Sequence, residues 1–152
     1  MIDLCAGRCF FIGHREAAEE LLPSLRAAIE RHIDEYGVTE FLVGQYGGFD
    51  HLAARCVMEA KQRHPEIVLT LLLPYHPAEH KVHLPEGFDG SCYPPWQETV
   101  PKKAAIIRAN MYAVDCSDYL IAYVWHAASN ARMVLEYAQS RAHQHVVQLP
   151  GG

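Results

Sequence analysis

The sequence predicts an α/β domain built on a five-stranded parallel sheet with helices on both faces. Three observations lead there. Short β-branched and aromatic runs alternate with amphipathic stretches in the order β-α-β-α-β-α-β-α-β, which right-handed crossovers turn into a parallel sheet. The run IVLTLLL at 67–73 lacks polar alternation, as a strand covered on both faces must. Glycine or polar turn residues follow most of the strands, and that end of an open α/β sheet is where ligands bind.

The first strand is RCFFIG at 8–13, short, aromatic and closed by a glycine. After the turn residues His14, Arg15 and Glu16, apolar positions from Leu21 to Tyr36 recur at helical spacing, with Pro23 near the start and Gly37 past the end. A separate short turn leads into that helix. A second strand at 39–44 is followed by a helix whose Leu52, Ala53, Cys56, Val57 and Ala60 oppose Arg55, Glu59, Lys61 and Arg63, and Pro65 ends it. The third strand is 67–73. Between 74 and 101 periodicity collapses: six of the nine prolines fall there, so the segment reads as a long binding loop or lid with a short helix at 78–82. Helical order returns at 102–115, then come a strand at 119–125, a helix at 129–142 and a strand at 145–149. No linker or repeat divides the chain, so residues 1–152 form one domain.

Composition narrows the function. With 152 residues and half of them apolar, the chain can bury a core without disulfide or metal staples. The net charge of −5 and the lack of a Lys/Arg run argue against a nucleic-acid partner. No apolar run is long enough for a membrane, and the N-terminus lacks the pattern of a signal peptide, which places the protein in the cytoplasm. Cys5, Cys9, Cys56, Cys92 and Cys116 are scattered and odd in number, as buried reduced thiols rather than a disulfide framework. His76 and His80 have i,i+4 spacing, with His83 beyond them, but Pro77 intervenes and no HExxH pattern exists. No metal is expected. Neither GxGxxG nor GxxxxGK[ST] is present, and no cofactor is called for.

The candidate ligand seat is FLVGQYGGFD at 41–50. Gly44, Gly47 and Gly48 allow close backbone approach, and the helix that follows presents N–H groups and a positive dipole end to a phosphate. The alternative is a tight turn only, with Asp50 as a helix cap. Tyr46, Tyr75 and Trp96 either stack on a base or simply pack.

FFIGHRE, VGQYGGFDHLAA and IIRANMYAVDCSDYLIAYVWHAASNARMVLEYA, in this order, resemble the YpsA-like branch of the SLOG superfamily, which also holds the LOG phosphoribohydrolases and the DNA-binding DprA proteins. The resemblance implies a Rossmann-like sheet, a homo-oligomer and a nucleotide or nucleotide-derived small-molecule ligand. It assigns ligand contacts to Gly13, His14, Arg15, Gly44, Gly47, Gly48, Asp50, Ser129 and Asn130. By the same likeness Arg108 and Glu136 match the catalytic arginine and glutamate with which LOG enzymes hydrolyse the N-glycosidic bond of a nucleoside monophosphate. Chemically, a guanidinium can hold a phosphate while a carboxylate orients water. Ser129, Asn130 and Met133 replace the glycines and threonine of the LOG motif, however, and Arg132 and Glu136 also have the spacing of an ordinary i,i+4 salt bridge. The rival function is a nucleotide sensor without catalysis.

Overall fold

The computed structural model describes residues 7–76, 84–95, 97–126 and 129–150. Strands β1 (Arg8–Gly13), β2 (Glu40–Val43), β3 (Val68–Leu72), β4 (Gly90–Cys92), β5 (Tyr119–Tyr123) and β6 (His145–Gln148) form one sheet in the order β4-β3-β2-β1-β5-β6, with every neighbouring pair parallel. Helices α1 (Leu22–Asp34), α2 (Gly48–Arg63), α3 (Ala105–Asp115) and α4 (Asn130–Gln139) connect and cover them. The protein is thus α/β and Rossmann-like. As the alternation of β1 requires, Cys9 and Phe11 pack with α1 and α2, while Phe10 and Ile12 pack with α3 and α4.

The five-stranded expectation is corrected to six. Strand β4 lies inside the segment read as loop; it has three residues, two of them glycine and serine, too short and too polar to carry periodicity. Neighbouring hydrogen bonds define it instead. The Asp89 carboxylate accepts from Leu69 N–H at 2.9 Å, Asp89 N–H donates to the Leu69 carbonyl at 2.8 Å, and Leu73 N–H donates to the Cys92 carbonyl at 2.8 Å. The anticipated turn before α1 is a 3-10 segment at Glu19–Leu21. Cys9 and Cys56 are buried and Cys92 and Cys116 half-buried, all as free thiols. Cys5, the short helix at 78–82, His80, His83 and Trp96 lie outside the described residues.

Chain order reverses between β1 and β5, whose registers run from Cys9 opposite Tyr119 to Gly13 opposite Tyr123. A crevice therefore opens beyond their carboxyl ends. Phe49, fully buried in the first turn of α2, holds that end of the sheet together: its ring lies 5.9 Å from that of Tyr123 and 6.4 Å from that of Phe11. It presses so closely on Gly13 that a Cβ there would come within 2.4 Å of the ring. Gly13→Ala should therefore cost about 1–3 kcal/mol by overpacking. In a Phe49→Leu background the cost should shrink by more than about 0.5 kcal/mol, as urea denaturation in a double-mutant cycle would show.

Candidate functional site

The loops after β1 and β2 meet backbone to backbone. Gly48 N–H donates to the Arg15 carbonyl at 2.7 Å, and Phe49 N–H reaches the His14 carbonyl at 3.4 Å. A Cβ on Gly47 would lie 2.7 Å from Arg15 Cα, and one on Gly48 2.6 Å from the Arg15 oxygen. Side chains at these positions would wedge the loops apart. Close approach is what the two glycines permit, and the nearest partner is the neighbouring loop of the same chain. The first two N–H groups of α2 are accordingly engaged by protein carbonyls rather than presented to a phosphate.

His14 ties the first loop across the switch point. Its buried ring accepts at Nε2 from Trp125 N–H at 2.9 Å and His126 N–H at 3.1 Å, which puts its single proton on Nδ1. Burial, and secondarily the neighbouring His126, lower its pKa, so the ring is neutral, as an acceptor must be. Trp125 itself is 45% exposed beside this bracket, in contact with the ring of His126.

These loops enclose a cleft of about 550 Å³. It is lined by Gly13, His14 and Arg15 from the first loop, by Gly44, Tyr46, Gly47 and Asp50 from the second, and by Ser129 and Asn130 at the start of α4. The structure thus brings together eight of the nine expected ligand-binding positions; Gly48, the ninth, faces the Arg15 carbonyl. Arg15 and Lys103 are exposed on the cleft wall, and among the described residues neither has an ion-pair partner. Ser129 is the N-cap of α4, its Oγ accepting from Arg132 N–H at 3.0 Å, so that the positive end of this helix dipole points at the cleft.

Asp50 is not an N-cap but sits in the first turn of α2, where Oδ2 accepts from Tyr46 N–H at 3.0 Å. Burial pushes its carboxyl up to about 6, against that hydrogen bond and the nearby His51, which act in the opposite direction. Burial likewise pushes the Tyr46 phenol up to about 12, leaving it a hydrogen-bond donor at neutral pH.

Arg108 and Glu136 stand apart from the cleft. Ile107 and Asn110 of α3 line it, and Arg108 is rotated about 100° around the helix from Ile107, on the exposed side. Glu136 lies three residues, about 4.5 Å along α4, past Met133, the last α4 residue to line the cleft, and is exposed, 3.9 Å from Arg132 in the i,i+4 ion pair. The sequence reading missed Lys103 and Asn110. Ile107 and Asn110 are one turn apart on α3, and Lys103 precedes them in a 3-10 turn at Lys102–Ala104; the i, i+4, i+7 spacing is present in the sequence, but a dilysine at a helix start carries no sign of the wall it faces.

Outside the cleft, Glu30, Asp34 and His64 could converge on a metal ion only by giving up bonds already made, since Glu30 accepts from Arg63 Nε at 2.9 Å and lies 3.0 Å from His64 Nε2. Among the described residues no helix is long and apolar enough to cross a membrane.

No protein-family model matches the chain, and no curated protein matches it in sequence. Among solved structures it is similar to DNA processing protein A (DprA) from Helicobacter pylori, described for its single-stranded DNA binding mode. The TM-score is 0.64 at 18% identity, over 95% of this chain and 66% of that one, so the chain spans just under two thirds of the protein it matches. At that identity the likeness shows the fold. It also overturns the inference that an acidic balance argues against a nucleic-acid partner, since a protein of this fold binds single-stranded DNA. Net charge averages over the whole surface, whereas Arg15 and Lys103 act locally at the cleft.

The Asp50 carboxyl sets a pH dependence. Its folded pKa of about 6 lies above the ordinary 3.8, so the unfolded chain gives up this proton first. Stability is lost as pH rises through the window from 3.8 to about 6, by at most about 3 kcal/mol. Asp50→Asn, whose amide oxygen can still accept from Tyr46 N–H, should melt a few degrees above the parent at pH 8 and level with it near pH 4, as thermal denaturation across pH would show.

Proposed function

We propose that the protein binds a phosphate-bearing nucleotide in the switch-point cleft, with the phosphate held by Arg15, Lys103 and the start of α4. The observation that carries this is the gathering of three strand-end loops and the face of α3 around one cleft whose two cations have no ion-pair partner among the described residues. The anion site moves from α2, whose first N–H groups are engaged, to α4, which opens on the cleft. The order of the GHRE and GGFD segments supports placing the chain in the YpsA-like branch of SLOG proteins.

This is binding without the LOG reaction. Hydrolysis needs the carboxylate within reach of the glycosidic carbon, and Glu136 is exposed and ion-paired outside the cleft lining. The sensor reading therefore takes precedence over the phosphoribohydrolase. A second reading, a single strand rather than a free nucleotide, is favoured by the DprA likeness and by Trp125, an exposed aromatic surface on which a base can stack.

Isothermal titration with AMP should detect binding, weakened about 10- to 150-fold by Arg15→Ala or Lys103→Ala, since each removes a charge-assisted hydrogen bond of about 1.5–3 kcal/mol. Arg108→Ala and Glu136→Ala should leave affinity within about twofold. Absence of AMP binding, or release of adenine that depends on Glu136, would contradict the proposal. In parallel, a twelve-residue oligothymidylate should bind with a steep salt dependence and lose affinity in Trp125→Ala if the single-strand reading is right.

A further inference from the structure

A second cleft of about 300 Å³ lies against the first, sharing Gly44 and Asp50 as a common wall. Its remaining surface is mainly apolar, with Ala54 and Met58 on α2 and Pro85 and Phe88 on the segment leading into β4, and with Gln45, His51 and Arg55 as its other polar residues. Few polar groups reach it, and one of them, Arg55, is already held by Glu19 at 2.8 Å.

This pocket is built rather than incidental. Lys61 Nζ donates to the Gly87 carbonyl at 3.2 Å and to the Asp89 carboxylate at 2.5 Å, fastening the segment to α2. Asp89 in turn bonds both the N–H and the carbonyl of Leu69 in β3. At Gly87 the backbone takes φ +97°, and a Cβ there would lie 2.7 Å from Met58 Sδ. Only glycine lets the segment sit so close, and Phe88 is thereby packed against the core.

We propose that the smaller cleft is the base pocket of the nucleotide site: the planar ring packs against Phe88 and Met58, and the Asp50 carboxyl in the common wall accepts from an N–H on the ring edge. This rests on the nucleotide reading of the larger cleft, which it deepens by assigning the two halves of the ligand. An apolar slot beside a cationic cleft matches the division of a nucleotide into an apolar ring and an anionic tail. Aromatic and thioether groups favour a flat π system over an aliphatic one. A carboxylate in the wall suits a ring donor and would repel a phosphate, which keeps the phosphate on the Arg15 and Lys103 side.

The two readings can fail separately. Titrations of the full chain with ribose 5-phosphate, AMP and a five-residue oligodeoxyadenylate compare phosphate alone, phosphate with base, and base in a strand. AMP should bind about 5- to 150-fold more tightly than ribose 5-phosphate, the value of one stacked base. Ala54→Leu fills the slot and should bring AMP down to the level of ribose 5-phosphate while leaving the sugar phosphate unchanged. Phe88→Ala repeats the test should Ala54→Leu melt early. The same loss for the oligodeoxyadenylate would assign the pocket to strand bases, and loss for AMP alone to a free nucleotide. Equal affinity of AMP and ribose 5-phosphate in the parent protein, or unchanged AMP binding in both variants, would overturn the base pocket and leave the phosphate site standing. Failure of ribose 5-phosphate, AMP and the oligonucleotide alike would overturn both.

Discussion

The close approach of the loops after β1 and β2 is the constraint on which the rest of the site depends. Where Gly47 and Gly48 lie against the Arg15 backbone, any Cβ would come within 2.7 Å of it, and the Gly48 N–H to Arg15 carbonyl bond of 2.7 Å closes the contact. The Gly48 bond uses only the Arg15 carbonyl, and Arg15 remains an exposed residue of the cleft lining. His14, one residue earlier, accepts the N–H groups of Trp125 and His126 and so joins the same loop to the segment that follows β5. One short turn thus fastens both walls of the crevice.

Electrostatics divides the site. The chain as a whole is acidic, yet the cleft carries two cations and the positive end of α4. Against them stands Asp50, a carboxyl held in a setting that raises its pKa to about 6 and makes its ionised form a burden on the fold. A hydrogen-bond donor brought to that carboxyl would stabilise its ionised form. The place of Asp50 between a polar and an apolar cleft gives that penalty a purpose in the proposed division of the ligand.

The fold was legible because its main strands are continuous apolar runs and its helices show regular stripes; RCFFIG at 8–13 coincides with β1 to the residue. Strand β4 was not legible, since an edge strand of three residues is defined by hydrogen bonds from Asp89 and Leu73 rather than by its own side chains. At the site, the strand-end loops could be read because glycines and polar residues interrupt apolar pattern at one end of the sheet. What those glycines touch could not, since the partner of Gly48 is a carbonyl more than thirty residues away in sequence. Arg108 and Glu136 show the converse. Both fall where the resemblance puts them in sequence, but Arg108 is on the exposed side of α3 and Glu136 is exposed three residues past Met133, so neither is part of the cleft lining. Lys103 was hidden in turn because a lysine at a helix start reads as solvated until the facing wall is known.

In the proposed complex one nucleotide is bound across the two clefts, phosphate on one side of Asp50 and base on the other. A crystal structure of the protein grown with AMP tests it most directly. Phosphate density is expected within hydrogen-bond reach of Arg15 or Lys103, with the adenine ring against Phe88. Density for AMP at Arg108 and Glu136, or phosphate at the engaged start of α2, would contradict it.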